Sequence, residues 1–441
     1  MTLPNRLRHG FDAMGPSWLA GAIAAGPATM ASLLTAGAGY GYALLWVVVL
    51  SALFGTLTQY LAARLGLLTE RGIVGVVEDH LGDAWAWLLV LDVVLVAGIA
   101  QLVIMKGLAQ VTADLTGVDV VPAGIAWAVL LAVGLAGGGY RAAELGAKLV
   151  VGGVVLAFVA SLFVVPIDAG GAAGGLVPTL PAGSELVVAG VLGGAVHITL
   201  ITMHSYAMRA RGWTRRDHDA ATADVVGSMG IAFGLYSVAI FLVAASVLSD
   251  PAIGRLGAAH ALEPVAGPLA ERLFLFGLLG AAVSTLGGNT VVPPSLLVDK
   301  LGWGTDVDDP KYRGLVATTA LLSAAGVFVG GAFFGQLVFV LALGLVGTVF
   351  ALAVVLSLLN DPRAVPETNG PLLNAAGGLV FAVVTVVVLA QLRGTVASAD
   401  GPLDYFVLAF AAVVGVATLA VLVRLVRTVR GERAGTATRS D

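Results

Sequence analysis

Two short stretches of this chain combine a helix-breaking backbone with polar side chains in apolar surroundings. They are Ala24-Ala25-Gly26-Pro27-Ala28-Thr29 and Gly193-Gly194-Ala195-Val196-His197-Ile198-Thr199. Pro27 has no N–H to give and its ring clashes with the preceding turn, while Gly26 adds backbone freedom. A break inside a membrane frees carbonyls and N–H groups that lipid cannot satisfy, so it has to line a cavity. Carbonyl oxygens, the Thr29 and Thr199 hydroxyls and the His197 imidazole are then on offer. These groups can hold a cation through oxygen and nitrogen lone pairs, or hydrogen-bond a neutral or anionic solute. Taken singly, the stretches read equally well as a proline kink and a glycine packing face. Their positions decide the matter, because they fall in the first and sixth apolar segments, the corresponding members of two five-helix halves. Interrupted helices at matched positions mark a transporter site near mid-membrane. The candidate substrate-binding residues are therefore Gly26, Ala28, Thr29, Gly194, Ala195, His197 and Thr199, with His197 the candidate metal ligand.

Other polar groups lie in the same apolar background. His197 and His204 are the two of six histidines that fall within a span, and a seven-residue spacing puts them on one helix face unless the break intervenes. Lys106 is costly inside a span unless it is paired, wet or reaching the interface. Asp92 poses the same question nearer the inner end of its segment, where reaching the interface is the better fit. Asn289 with Pro293-Pro294 predicts an irregular end to the eighth segment. No Walker loop, Gly-x-Ser-x-Gly elbow or His-Glu-x-x-His is present, and the glycine pairs sit in apolar helices, so nucleotide and hydrolase readings have no support. Intramembrane enzymes show paired titratable groups at depth, which the chain lacks. No cofactor and no nucleic-acid partner is expected.

The elements that must position these groups follow from composition. Of 441 residues, 58% are hydrophobic and 11% charged, and the mean hydropathy is +0.97. A soluble domain carries about 25% charged residues, so this chain cannot cover a water-facing surface. The 59 glycines suit membrane helices, whose backbones approach closely at small residues. With no cysteine, disulfides, zinc–thiolate sites and iron–sulfur clusters are excluded, and the redox compartment cannot be read. Twelve apolar segments follow one another, at about 17–41, 44–65, 85–113, 121–137, 143–166, 186–208, 224–248, 268–298, 314–330, 333–359, 372–392 and 403–426. Each approaches or exceeds the length that crosses a hydrocarbon core of about 30 Å as a helix. Met1 to Gly15 is polar and the first apolar stretch outruns a signal-peptide core, so no cleaved leader is expected.

Loop charges orient the chain. With the N-terminus inside, 19 of the 23 lysines and arginines fall on the inner side, against Arg255, Arg272 and Arg393 outside. This is the positive-inside pattern, and it places both termini in the cytoplasm of a plasma-membrane protein. Arg424, Arg427, Arg430 and Arg433 recur at helical spacing, which suits headgroup contact at a stop-transfer flank better than a dedicated lipid site.

Several motifs carry a family resemblance. Gly15-Pro16, the run Thr35-Ala36-Gly37-Ala38-Gly39-Tyr40-Gly41-Tyr42-Ala43-Leu44-Leu45-Trp46, Arg64-Leu65-Gly66 with Thr69, Gly139-Tyr140-Arg141-Ala142-Ala143-Glu144 and Met203-His204-Ser205 together resemble the natural resistance-associated macrophage protein (NRAMP) family of proton-coupled divalent-metal transporters. The match runs from about residue 15 to 360. It implies an all-α integral membrane protein with a LeuT-type inverted repeat of 5+5 transmembrane helices, plus about two additional C-terminal helices. The expected division is a cytoplasmic segment 1–16, repeats at 17–166 and 186–359, added helices at 372–426 and a tail at 427–441.

The departures fall where the family's chemistry lies. Its helix 1 reads Asp-Pro-Gly-Asn, with metal on the Asp and Asn; this chain reads Gly26-Pro27-Ala28-Thr29. Its helix 6 reads Met-Pro-His; this chain reads His197-Ile198-Thr199. Its helix 3 carries an Asp and a Glu three apart for proton movement, and those positions are Gln101 and Ile104 here. Gln101, His204 and Gln336 remain as gate or coupling candidates, although the family's partner for Gln336 is Ala342 in this chain. A divalent ion needs strong ligands to replace its water, so the site suits a weakly held or partly hydrated ion. Loss of both helix 3 acids predicts altered or absent proton coupling by that route. A secondary transporter of divalent metal is the leading expectation, with a small organic solute on the same fold as the alternative and a channel or receptor a third. A metal-and-metabolite binding screen separates the first two, and the matched breaks speak against the third. A monomer embedded in lipid is expected.

Overall fold

The structure, a computed structural model, describes residues 15–137, 152–248, 254–303 and 308–437. The motif at 139–144 lies outside them. Each of the twelve apolar segments carries helix, and no strand occurs among the described residues. The first segment is two helices, α1 (Ser17–Ala24) and α2 (Pro27–Tyr40). Then come α3 (Leu45–Thr69), α4 (Asp83–Thr116), α5 (Val120–Gly137) and α6 (Gly152–Ser161). The sixth segment is again a pair, α7 (Glu185–Ala195) and α8 (Ile198–Ala210). The second half continues with α9 (Gly234–Val247), α10 (Ala270–Lys300), α11 (Pro310–Leu322) and α12 (Phe333–Leu359). The helices α13 (Pro371–Ser398) and α14 (Pro402–Ala437) close the chain.

Both breaks are present, each shifted from its expected place. Within the first stretch, 24–29, where the sequence predicts unwinding from Gly26 to Thr29, the break lies at Ala25–Gly26. Gly26 is extended (φ −71°, ψ 179°) and Pro27 opens α2. The missing N–H costs nothing at the first position of a helix, so the proline starts a helix here, and Ala28 and Thr29 are helical. Within the second stretch, 193–199, where the sequence predicts unwinding from Gly194 to His197, the break narrows to Val196 (φ −104°, ψ 75°) and His197 (φ −120°, ψ 136°). Gly193 and Gly194 stay helical and serve packing: a Cβ on Gly193 would run into the Leu341 carbonyl of α12, and one on Gly194 would stand 2.6 Å from Thr29 Oγ1.

A third expectation is overturned. Helix α10 runs unbroken through Pro293 and Pro294 to Lys300. A proline removes one N–H per site, and packed neighbours hold such a helix together where an isolated one would bend.

Burial orders the layers. The most apolar windows of α7–α8 and of α12 are 94% buried, against 22% for α13 and 33% for α14. The broken pair and α12 therefore form the centre, and the last two helices are an outer addition. Residues such as Leu372, Val386, Val416 and Leu419 of α13 and α14 face outward, as a lipid-facing surface requires. Arg424 donates to the Leu81 carbonyl at 3.3 Å and to that of His80, tying α14 to the short helix Ile73–His80.

Candidate functional site

Between the two breaks lies a cavity of about 40 Å³, lined among others by Gly26, Ala28, Thr29, Gly194, His197, Thr285 and Asn289. Five of the seven residues drawn from the sequence thus meet at one place. Ala195 and Thr199 do not line it: the Ala195 carbonyl accepts from Gln59 Nε2 at 3.2 Å, and the Thr199 hydroxyl is buried without a partner.

Three carbonyls at the breaks, those of Ala25, Ala195 and Val196, have side-chain donors. Tyr236 Oη donates to the Ala25 carbonyl at 3.0 Å, and Thr348 Oγ1 reaches the Val196 carbonyl at 3.3 Å. Tyr236 stands just beyond a π-helical segment, Val226–Phe233, which leads into α9. Such segments reset the helix register and recur at functional sites. Side chains from three other helices therefore satisfy part of the backbone that the breaks expose. At each break a helix C-terminus, that of α1 or α7, meets a helix N-terminus, that of α2 or α8, so the centre holds dipole ends of both signs and the side chains decide what it takes.

His197 caps α8. Its Nδ1 accepts the Thr199 N–H at 3.3 Å, which assigns the remaining ring hydrogen to Nε2. That Nε2 is buried with no partner and lies against Gly344 of α12. The ring forms a wall of the cavity while its nitrogens face elsewhere. Oxygen donors are better placed. Thr29 is 3% exposed with its hydroxyl over Gly194, and Thr285 Oγ1 has no partner and sits where a Cβ on Gly26 would stand. Asn289 is one helical turn beyond Thr285 on α10.

Thr285 and Asn289 were missed as site residues by sequence reasoning. The signal was a Thr–Asn pair four apart in an apolar helix, hence on one face. Among the described residues no cluster of three or more His, Cys, Asp or Glu can hold a metal ion.

The coupling candidates lie apart from the cavity. Gln101 is buried and donates to Thr290 Oγ1 at 2.6 Å, bridging α4 to α10. Its neighbours Ala100 and Ile104 line the cavity instead. His204 is buried, with Nδ1 2.9 Å from the Leu200 carbonyl and Nε2 unpartnered. Gln336 meets Lys106, whose ammonium donates to Gln336 Oε1 at 2.9 Å and to the carbonyls of Gly330 at 3.1 Å and Gly331 at 2.6 Å. Asp92 does not reach an interface as expected: it is 3% exposed, and neither carboxylate oxygen has a hydrogen-bond partner. Helix α4 begins at Asp83 and lies against α12, which covers this position.

Two broken helices meeting at the centre of an all-helical bundle, with two extra helices outside, define a membrane transporter of the LeuT-type inverted-repeat class. Solved structures agree on the fold. A mutant of the manganese transporter of Eremococcus coleocola superposes with a TM-score of 0.70 at 15% identity, covering 95% of this chain and 94% of that one. The nucleobase-cation-symport-1 transporter Mhp1, in a closed conformation, gives 0.52 at 14% identity over 94% and 93%. Within that class, residues 17–393 match the family described as natural resistance-associated macrophage protein-like, and the chain belongs to it. The divalent metal cation transporter MntH of Acidiphilium cryptum is 30% identical over 310 residues, 63% of this chain and 68% of that protein. The protein of the same name from Pectobacterium carotovorum is 31% identical over 299 residues, 63% and 71% of the two chains.

Proposed function

We propose that this protein is a secondary transporter of divalent metal ions, and that the ion rests between the two breaks. The observation that carries the reading is the cavity itself. A water needs about 10–15 Å³ of such space, so about 40 Å³ takes an ion with one or two waters. Organic ligands occupy pockets of about 300–1,000 Å³. Metal relatives under the same family description support the same substrate class.

The ion is held by oxygen: the Thr29 and Thr285 hydroxyls and the Asn289 amide. Oxygen ligands suit Mn²⁺ and other hard divalent ions. His197 shapes the wall and fixes the start of α8. Without a carboxylate in the cavity, binding is weaker than in relatives with the Asp-Pro-Gly-Asn motif. The moving units are the two repeats, 17–166 and 186–359, with 372–426 as outer supports. The arginine distribution supports a plasma-membrane protein with both termini, 1–16 and 427–441, in the cytoplasm, and we propose that it acts as a monomer. Calorimetry of the purified protein tests the substrate: saturable Mn²⁺ binding weakened by Asn289→Ala supports it, and no binding of any divalent ion overturns it.

A further inference from the structure

The most exceptional group outside the cavity is Asp92. It is 3% exposed, both carboxylate oxygens lack a hydrogen-bond partner, and no ion pair among the described residues includes it. A bare carboxylate inside a membrane is costly unless a cation or a proton joins it, and such groups mark ion and proton paths.

Its placement connects it to the site. Ile104, Ala100, Val96 and Asp92 follow one another at four-residue spacing on α4, a slowly turning stripe along one side. Ile104 and Ala100 line the cavity, and Asp92 ends the stripe about 12 Å further along the helix from Ala100. The stripe runs past two glycines of α12. A Cβ on Gly344 would collide with His197 Nε2 and stand 3.1 Å from Val96 Cγ1, and one on Gly347 would collide with the Asp92 carboxylate. Gly344 and Gly347 are one turn apart on one face, so the unpartnered His197 Nε2 and the unpartnered carboxylate lie against adjacent turns of the same helix.

The titratable and charged surroundings are sparse. The elements packed on α4 are α5, α8, α10, α12, the turn Ser323–Phe328 and the helix Ile73–His80. Neither α5, α12 nor Ser323–Phe328 contains a titratable side chain. From α8 and its cap come His197, His204, Tyr206 and Arg209, with the Tyr206 hydroxyl donating to Asp299 at 2.6 Å, and α10 carries Glu271, Arg272, Asp299 and Lys300 near its ends. The helix Ile73–His80 adds Glu78, Asp79 and His80, and α4 itself has Asp83, Lys106 and Asp114. Lys300 is committed to Glu78 at 3.0 Å and Asp83 at 2.5 Å, and Lys106 to its three acceptors.

We infer that Asp92 is the proton carrier of this transporter, replacing the acids absent at Gln101 and Ile104 on the same helix. A proton from water adds to one carboxylate oxygen and later leaves to water on the other side of the membrane. No other bond changes, and nothing is oxidised. The inference rests on the transport reading above.

The test uses the full chain in proteoliposomes, with external Mn²⁺ and a luminal pH dye, comparing wild type, Asp92→Asn and Asp92→Glu. Wild type and Asp92→Glu acidify the lumen as Mn²⁺ enters, and in Asp92→Asn the protons admitted per Mn²⁺ fall at least tenfold. An unchanged ratio in Asp92→Asn, or Mn²⁺ entry without acidification in wild type, overturns the inference. Infrared difference spectra keep this separate from the substrate question, because they need no transport. A carboxyl carbonyl band that grows on acidification in wild type and is missing from Asp92→Asn supports Asp92, and identical bands in both overturn it.

Discussion

Helix α4 buries two charged side chains fourteen positions apart, and the membrane treats them in opposite ways. Lys106 is 4% exposed and Asp92 3% exposed, so burial does not separate them. Partners do. The Lys106 ammonium has three oxygen acceptors, all at the loop and helix start that join α11 to α12. The Asp92 carboxylate has none. A buried ion with a full set of acceptors is part of the scaffold and clamps one loop to one helix. A buried ion with no set is completed only when something mobile arrives. The difference assigns structure to one end of α4 and ion movement to the other.

Stability measurements sharpen that contrast. Lys106→Met removes three charge-assisted bonds and takes the donor from the Gly331 carbonyl, while Gly330 keeps Gln336 Nε2, so it should lower stability by about 2–4 kcal/mol. A lowered melting temperature in detergent reads this directly. Gly347→Ala forces the Asp92 carboxylate aside, an overpacking cost of about 1–3 kcal/mol. The same variant should change the protons moved per metal ion, because it displaces the carrier. Asn289→Ala acts on the cavity alone and should weaken Mn²⁺ about tenfold, or about 1.4 kcal/mol, in calorimetry. The smallest change in stability is expected from Asp92→Asn. It removes a charge that has no hydrogen-bond partner, so melting should stay within about 1 kcal/mol of wild type or rise slightly. A large loss of stability in Asp92→Asn, matching that of Lys106→Met, would erase the distinction between the two ends.

Much of this was legible in the sequence, for physical reasons. Twelve apolar segments and the arginine bias state a polytopic membrane chain, and Gly26-Pro27 sits where backbone cannot stay helical, whereas the glycines that suggested the second break stay helical and the chain breaks just after them, at Val196-His197. What the sequence left unread was depth and facing. At 34 residues, α4 is about 51 Å long and exceeds a bilayer core of about 30 Å. Counting from its start therefore could not say that Asp92 lies under α12. Thr285 and Asn289 were hidden because the rotation of α10 about its axis depends on its neighbours, and the proline pair beside them suggested an irregular end to the segment. His197 was legible as a cavity residue, but the direction of its nitrogens was not. That direction follows from the cap it gives to the Thr199 N–H, a bond that exists only once α8 begins at Ile198.

The central claim is that a divalent ion, held by oxygens between the two breaks, is what this protein moves. Uptake of Mn²⁺ into proteoliposomes, measured beside His197→Ala and Thr285→Val, tests it most directly. The account predicts saturable uptake in wild type, a residual but clear uptake in His197→Ala, and a raised half-saturation concentration in Thr285→Val. Absence of Mn²⁺ uptake in wild type, with an organic solute entering in its place, would contradict it.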